Sequence, residues 1–112
     1  MNITFNSNKL AKIFNSEKNL VREFGVENAK KIKNRMAVLD VANCLADVPI
    51  KPPMRRHELV GNRAEQFAVD LIHPMRLIFE PNNNPLPRKP DKGLDLDKIT
   101  AITILEVEDY HG

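Results

Sequence analysis

The spacing of apolar residues changes along the chain, from a helical period in the first half to a strand period in the second. After a short β-prone segment at residues 3–5, Ser7 is a typical N-cap for a first helix. Gly25 then interrupts the helical pattern. From Val26 to about Ala46, apolar residues recur every three or four positions, which predicts a second helix with one buried stripe. The stripe contains Ala29, Ile32, Met36, Leu39 and Ala42.

The second half of the chain alternates apolar and polar residues, as half-buried strands do. The pattern predicts four strands, at residues 56–59, 66–72, 75–80 and 100–107. The second and third would form an antiparallel hairpin around His73 and Pro74, with Arg76 directed away from the core. The fourth is almost continuously apolar, which is typical of a strand in the middle of a sheet that is covered on both faces.

The predicted order is β, α, α and then four strands, without the alternation of strands and long helices that parallel sheets require. It predicts an α+β fold, with two N-terminal helices packed on one face of a mainly antiparallel sheet of about four to five strands. The other face of the sheet would be partly open. The length of 112 residues suits a single domain spanning residues 1–112. Within it, the proline- and asparagine-rich stretch at residues 81–90 predicts an exposed loop, part of an irregular segment at about residues 81–98.

The net charge of +2 conceals an uneven distribution along the chain. Residues 1–63 contain 12 lysines and arginines against 6 acidic residues, whereas residues 64–112 contain 5 against 9. This asymmetry favours a polyanion-binding side, provided that the basic residues cluster in the fold. The second helix carries a basic cluster that we expect to be a solvated surface. Its members are Lys30, Lys31, Lys33 and Arg35.

Cysteine and histidine usage narrows the chemistry. Cys44 is the only cysteine, so neither an internal disulfide nor a cysteine-based zinc site can form. Without an apolar signal segment or a membrane-length apolar run, the sequence indicates a cytoplasmic protein with no membrane partner. Its histidines do not stand at metal-binding helical spacings, its glycines form no phosphate loop, and no serine occupies a nucleophile elbow. We therefore expect no metal and no small-molecule cofactor.

Candidate chemistry lies on the open face and at the chain end. Arg76 would offer its forked donors to a phosphate, or would instead form a salt bridge with Asp70 or Glu80. The last predicted strand leads directly into Tyr110 and His111. An anchored strand would hold both at the edge of the sheet, where a fixed histidine is a candidate proton carrier.

Two further polar residues precede the hairpin. Arg63 follows the Gly61-Asn62 turn, where loop residues often bind anions, although a lone loop arginine is commonly just solvated. His57 lies in the short strand, where a half-buried histidine with its own hydrogen-bond partner is a more common explanation than a functional one. The residues alone leave both alternatives open.

Three short sequences together carry a family resemblance. Residues 57–63 are His-Glu-Leu-Val-Gly-Asn-Arg, residues 76–79 are Arg-Leu-Ile-Phe, and residues 108–111 are Glu-Asp-Tyr-His. With Phe-Ala-Val at residues 67–69 between the first two, they resemble the H-x-L-x-G-x-R … W/F-x-[IV] … R-[IL]-x-F core and the terminal E-D-Y-H of HigB-type toxins. These plasmid-maintenance killer proteins belong to the RelE/ParE superfamily. Elsewhere the chain is similar only in the order of its elements.

The resemblance implies a RelE-like fold and the toxin of a type II toxin-antitoxin module. Such a toxin is a ribosome-dependent endoribonuclease that activates a ribose 2′-hydroxyl of translated mRNA against the neighbouring phosphate. By position, Arg76 would bind the scissile phosphate, Tyr110 would stack on or orient a base, and His111 would transfer protons. Arg63 would neutralise nearby phosphate, and His57 would occupy the position of the family's strand histidine. A cognate helix-turn-helix antitoxin, the ribosome and mRNA are the implied partners.

Two positions depart from the family pattern. Val60 stands where many members have a lysine and Ile72 where they often have an arginine, so two active-site cations are absent. Arg55, Arg56 and Lys89 are candidates to replace them in space. The lost cations leave open a catalytically inactive RelE-fold binding protein. A ParE-like gyrase inhibitor that acts by protein contact is another alternative, and it would not need His111.

Overall fold

The computed structural model describes residues 1–109, which form five strands and two helices. The elements are β1 (Asn2–Phe5), α1 (Asn8–Phe14), α2 (Glu17–Val41), β2 (His57–Glu58), β3 (Phe67–Asp70), β4 (Met75–Pro81) and β5 (Ala101–Asp109). Short 3-10 turns lie between them at Leu45–Asp47, Gly61–Arg63 and Leu96–Lys98. The α+β class and the order of the elements confirm the sequence-based prediction.

Serine side chains set the start of both helices. Ser7 Oγ accepts a hydrogen bond from the Leu10 amide at 3.1 Å, and Ser16 Oγ accepts one from the Asn19 amide at 3.2 Å. Gly25 interrupts α2 with φ 82° and ψ 164°, a backbone conformation that residues with a Cβ rarely adopt. The predicted break at Gly25 is therefore confirmed as a kink within one longer helix.

The C-terminal end of α2 differs from the prediction. The part of α2 after Gly25 starts where the prediction placed the second helix, but it ends at Val41 rather than near Ala46. The apolar pattern continues beyond Val41 because the following 3-10 turn, Leu45–Asp47, still inserts Leu45 into the core. A buried residue just after a helix can therefore fit the helical spacing of apolar residues although it is not part of the helix.

The sheet has the strand order β1-β5-β4-β3-β2. β1 runs parallel to β5, and every other neighbouring pair is antiparallel. Both helices contribute to the main core on one face of the sheet, as expected. Its fully or almost fully buried members include Leu20, Ala29, Ile32, Leu39, Phe67, Val69, Leu77, Phe79, Ile102 and Ile104. Residues 81–90 contain no buried side chain, as predicted for an exposed loop, whereas Leu94 further along the loop joins the core.

A β-bulge in β5 explains its long apolar run. The pairing register shifts between Ile78 and Phe79 of β4, which leaves Leu105 of β5 as the extra residue. Leu105 packs on the second face of the sheet in a small cluster with Leu59, Ala68 and Ile78. β5 does lie inside the sheet, but the prediction that it is covered on both faces was wrong. After the bulge, Glu106 and Glu108 stand opposite Ile78 and Arg76 on the open face.

Arg35 is buried, whereas the prediction placed it on a solvated basic surface. It is only 4% exposed, and its Nε donates to the Asp70 carbonyl at 2.7 Å. Burial lowers the pKa of Arg35, and the nearby Asp70 charge partly opposes this shift. The position lies three residues after Ile32 and four before Leu39, which places it on the apolar stripe. Lys30, Lys31 and Lys33 are exposed, as predicted.

Candidate functional site

The open face of the sheet ends in a groove of about 660 Å³. We call it the arginine groove, and it is lined by Arg55, His57, Glu58, Leu59, Val60, Asn62, Arg63, Arg76 and Glu108. Arg76 on β4 stands between Asp70 on β3 and Glu108 on β5 in the strand register. Directly paired residues share a sheet face, so these three side chains project to the same side.

Arg76 forms a salt bridge with Glu108. Its Nε and Nη2 donate to Glu108 Oε2 at 2.7 and 2.6 Å, and both side chains are mostly buried. The alternative prediction, that Arg76 forms a salt bridge, is confirmed. The predicted acceptors, Asp70 and Glu80, were wrong, because the acceptor is Glu108. Asp70 instead binds Arg55 through two hydrogen bonds, from Nε at 2.6 Å and from Nη2 at 2.9 Å.

Arg63 reaches the same carboxylate from the other side of the groove. Its Nη1 donates to Gln66 Oε1 at 2.6 Å, and its Nη2 donates to Glu106 Oε2 at 2.7 Å. The same Nη2 lies 3.2 Å from Glu108 Oε1. The hydrogen bond to Glu106 raises the pKa of Arg63, which keeps the guanidinium charged. Glu108 therefore bridges Arg63 and Arg76, the two arginines that the sequence had singled out.

His57 is half-buried at the groove wall, and its Nδ1 lies 2.8 Å from the Arg55 carbonyl oxygen. A carbonyl oxygen only accepts, so Nδ1 carries the hydrogen and Nε2 is the acceptor of the neutral ring. Both alternatives for His57 hold at once, since it has a backbone partner and also lines the groove.

The arginines considered as replacements for the cations missing at Val60 and Ile72 lie in different grooves. Arg55 lines the arginine groove, whereas Arg56 donates from Nε to the Val48 carbonyl at 2.9 Å and lines a different groove beside Pro49. Burial lowers the pKa of Arg56. Lys89 is not among the lining residues of the arginine groove, and its Nζ lies 3.9 Å from Asp91 Oδ2. Val60 is 83% exposed at the groove wall, where it presents an apolar group.

Carboxylates outnumber arginines in and around the arginine groove. The groove and the salt-bridge partners of its arginines contain three arginines and four carboxylates. The carboxylates are Glu58, Asp70, Glu106 and Glu108. The arrangement holds guanidinium forks in fixed positions by charge-assisted hydrogen bonds, and the same forks suit phosphate oxygens. A phosphate would have to compete with the carboxylates for these donors.

The sequence analysis gave no role to Glu106 or Glu108, although Glu108 belongs to the terminal motif at residues 108–111. Their spacing of two residues on one strand places both on the same face, which was the available signal. Tyr110 and His111, which the sequence singled out, lie outside the described residues. β5 is paired up to Asp109, which stands opposite Met75, the neighbour of Arg76.

Neither a metal-binding cluster nor a membrane-spanning helix is present in residues 1–109. Within residues 1–109, no cluster of three or more histidine, cysteine, aspartate or glutamate side chains could hold a metal ion. In the same part of the chain, no helix is both long and apolar enough to span a membrane. No protein-family model matches the sequence, and no curated protein matches it.

Proposed function

We propose that this chain is a HigB-type toxin of the RelE/ParE superfamily, a ribosome-dependent endoribonuclease that cleaves translated mRNA. One observation carries the proposal: Arg63 and Arg76 converge on Glu108 in a groove that His57 also lines. The strand that provides Glu108 continues in sequence into Tyr110 and His111. The α+β fold and the sequence resemblance support the same assignment.

The proposed reaction is an attack of a ribose 2′-oxygen on the adjacent phosphorus. A bond forms between the 2′-oxygen and phosphorus, and the bond from phosphorus to the 5′-oxygen of the next nucleotide breaks. The products are a 2′,3′-cyclic phosphate and a 5′-hydroxyl. Negative charge accumulates on the phosphorane, so fixed cationic donors lower the barrier. A base takes the 2′ proton, and an acid returns a proton to the 5′-oxygen.

Each groove residue has a role in this proposal. Arg76 binds the scissile phosphate in exchange for the Glu108 carboxylate, and Arg63 neutralises a neighbouring phosphate. His111 transfers protons, while Tyr110 stacks on or orients a base. His57 keeps its Nδ1 on the Arg55 carbonyl and offers Nε2 to the substrate.

Arg55 is the proposed replacement for the cation lost at Val60. It lines the arginine groove, and its fork is held by Asp70. Arg56 has no such role in the proposal, since its guanidinium contacts the Val48 carbonyl and lines a separate groove. Proposed partners are the ribosome, mRNA and a cognate helix-turn-helix antitoxin, and the proposed location is the cytoplasm.

Primer extension on a defined mRNA programmed on ribosomes tests the function. We expect the wild-type protein to cut within the decoding-site codon, only with ribosomes present. The Arg76→Ala, His111→Ala double variant should leave the mRNA intact, while Arg56→Ala serves as the matched arginine control and should cut normally. A wild-type protein that binds ribosomes without cutting would contradict the enzyme assignment.

A catalytically inactive RelE-fold binding protein is the second candidate. The carboxylates favour it, because every arginine of the groove is already salt-bridged and four acidic groups surround three guanidinium groups. Ribosome binding without cleavage is the result that it predicts. A ParE-like gyrase inhibitor would differ from both, because its toxicity would survive His111→Ala.

A further inference from the structure

A second groove lies between α1 and α2, away from the open face of the sheet. We call it the helix groove; its volume is about 330 Å³, and it is lined by Lys9, Lys12, Ile13, Asn19, Arg22 and Glu23. Lys9 and Lys12 stand at positions i and i+3 of α1, so they lie on the same side of that helix. Arg22 is contributed by the first half of α2, before the kink. All three cations are exposed to solvent.

The cations of the helix groove lack the carboxylate partners found in the arginine groove. Across residues 1–109, Lys9, Lys12 and Arg22 form no salt bridge. Glu23 lines the same groove, but it does not reach any of them at salt-bridge distance. The lining therefore has a net charge of +2, and its cations have no internal anion to displace.

The composition of the helix groove suits a phosphate backbone better than a protein segment. Ile13 is its single apolar lining residue, so the groove has no row of apolar side chains that would receive the apolar face of a bound helix. A different groove, beside Val38, Val41 and Ala42 at the end of α2, is mainly apolar. Lysine and arginine side chains on a polar surface are the groups that contact nucleic-acid phosphates.

We propose that the helix groove binds the phosphate backbone of double-helical RNA, as a second RNA contact separate from the arginine groove. The inference rests on the proposed function in one respect, namely that RNA is the ligand. Double-helical RNA is recognised mostly through its shape and its phosphates, which suits a surface without base-reading pockets. For a ribosome-dependent enzyme, this contact would anchor the toxin on structured RNA while the arginine groove holds the mRNA.

Anisotropy of a fluorescently labelled RNA duplex, measured over a series of salt concentrations, tests the inference. The test variant is Lys9→Gln, Lys12→Gln, Arg22→Gln. Its matched control removes the same charge from exposed lysines elsewhere, as Lys51→Gln, Lys89→Gln, Lys98→Gln. We expect the test variant to bind at least about tenfold more weakly at low salt, with a salt slope reduced by about one per cation. The control should lose less than about threefold.

Equal losses in the two triple variants, or no loss in the test variant, would overturn the inference. An unlabelled polyglutamate peptide is added as a competitor at equal charge. We expect it to leave the duplex bound, whereas displacement as effective as that by unlabelled RNA would assign the groove to an acidic protein and overturn the RNA ligand. Circular dichroism of each variant establishes that the fold is retained.

The ribosome cleavage assay with the same variants separates this inference from the proposed function. If the wild-type protein cleaves mRNA and the test variant binds the duplex normally, the inference fails and the nuclease stands. If the wild-type protein does not cleave and only the test variant loses the duplex, the nuclease fails and the RNA contact stands.

Discussion

The arginine groove and the helix groove both present positive side chains, but only the first balances them internally. In the arginine groove, each guanidinium is held by a carboxylate, and Glu108 joins two of them. In the helix groove, Lys9, Lys12 and Arg22 have no such partner among the described residues. The cations of the arginine groove are therefore held in fixed positions, whereas those of the helix groove are available to a ligand.

This difference separates positioning from affinity. Charge-assisted hydrogen bonds fix the orientation of a guanidinium, which is what stabilisation of a transition state requires. The same bonds reduce its attraction for a distant polyanion, because the carboxylate cancels the field. Unpaired cations act over a Debye length of about 8–10 Å and confer salt-dependent affinity. We therefore assign chemistry to the arginine groove and anchoring to the helix groove.

The largest expected effect is on catalysis, from Arg76→Ala. Cleavage of ribosome-bound mRNA should fall about 10²–10³-fold, as when one oxyanion donor is removed from an active site. Duplex binding should stay within about twofold, since the helix groove is unchanged. Quantified primer extension and duplex anisotropy measure the two effects. A comparable loss of duplex binding would show that catalysis and duplex binding are not assigned to separate grooves.

Arg35→Ala should have the largest effect on stability. The buried guanidinium links α2 to the Asp70 and Pro53 carbonyls, which would lose their donors. We expect a loss of about 2–4 kcal/mol in the free energy of unfolding, measured by urea denaturation. Lys31→Ala on the exposed face of the same helix is the control, with an expected change within about 0.5 kcal/mol. Equal effects would contradict a structural role for Arg35 distinct from that of the exposed cations.

Glu108→Gln should strengthen binding of single-stranded RNA. The neutral amide would release the charge on Arg63 and Arg76, so we expect about three- to tenfold tighter binding. Glu106 contacts Arg63 but not Arg76, so Glu106→Gln should have a smaller effect on RNA binding. Titration of a labelled single-stranded oligonucleotide measures both. Weaker binding by Glu108→Gln would mean that the carboxylate positions the arginines rather than competing with phosphate.

The smallest expected effect concerns the pair of Glu65 with Arg88, which fastens the long loop to the turn that contains Arg63. The Arg88 guanidinium lowers the pKa of Glu65. Because the folded pKa is depressed, the pair contributes stability at neutral pH, and this contribution is lost as the pH falls through that pKa. Wild type should melt slightly above Glu65→Gln at neutral pH and together with it in acid. A difference that persists in acid would have another origin.

Periodicity was sufficient to predict the α+β class, the hairpin and the break at Gly25, because each leaves a local pattern. It was insufficient for Arg35, whose position on the apolar stripe predicts burial while its charge predicts exposure. Only the tertiary fold supplies the carbonyls that make its burial possible. The bulge at Leu105 could not be predicted either. A continuous apolar run is expected both for a strand that is buried on its two faces and for a strand that contains a bulge.

The candidate site was predicted in part. The chain pattern singled out Arg63, Arg76 and His57, and the structure brings all three to one groove. Strand register places Arg76 between Asp70 and Glu108, and only the side-chain geometry shows that Glu108 binds Arg76 while Asp70 binds Arg55. The helix groove was outside the prediction, because its cations come from two helices whose packing the sequence does not specify.

The most direct measurement is the single-turnover cleavage rate on programmed ribosomes as a function of the concentration of this protein. It should be made for wild type, Arg76→Ala and the Lys9→Gln, Lys12→Gln, Arg22→Gln variant. We expect Arg76→Ala to lower the maximal rate with little change in the half-saturating concentration, and the triple variant to raise that concentration with the maximal rate preserved. The reverse pattern, or a wild-type protein that binds ribosomes and never cleaves, would contradict the division of chemistry and anchoring between the two grooves.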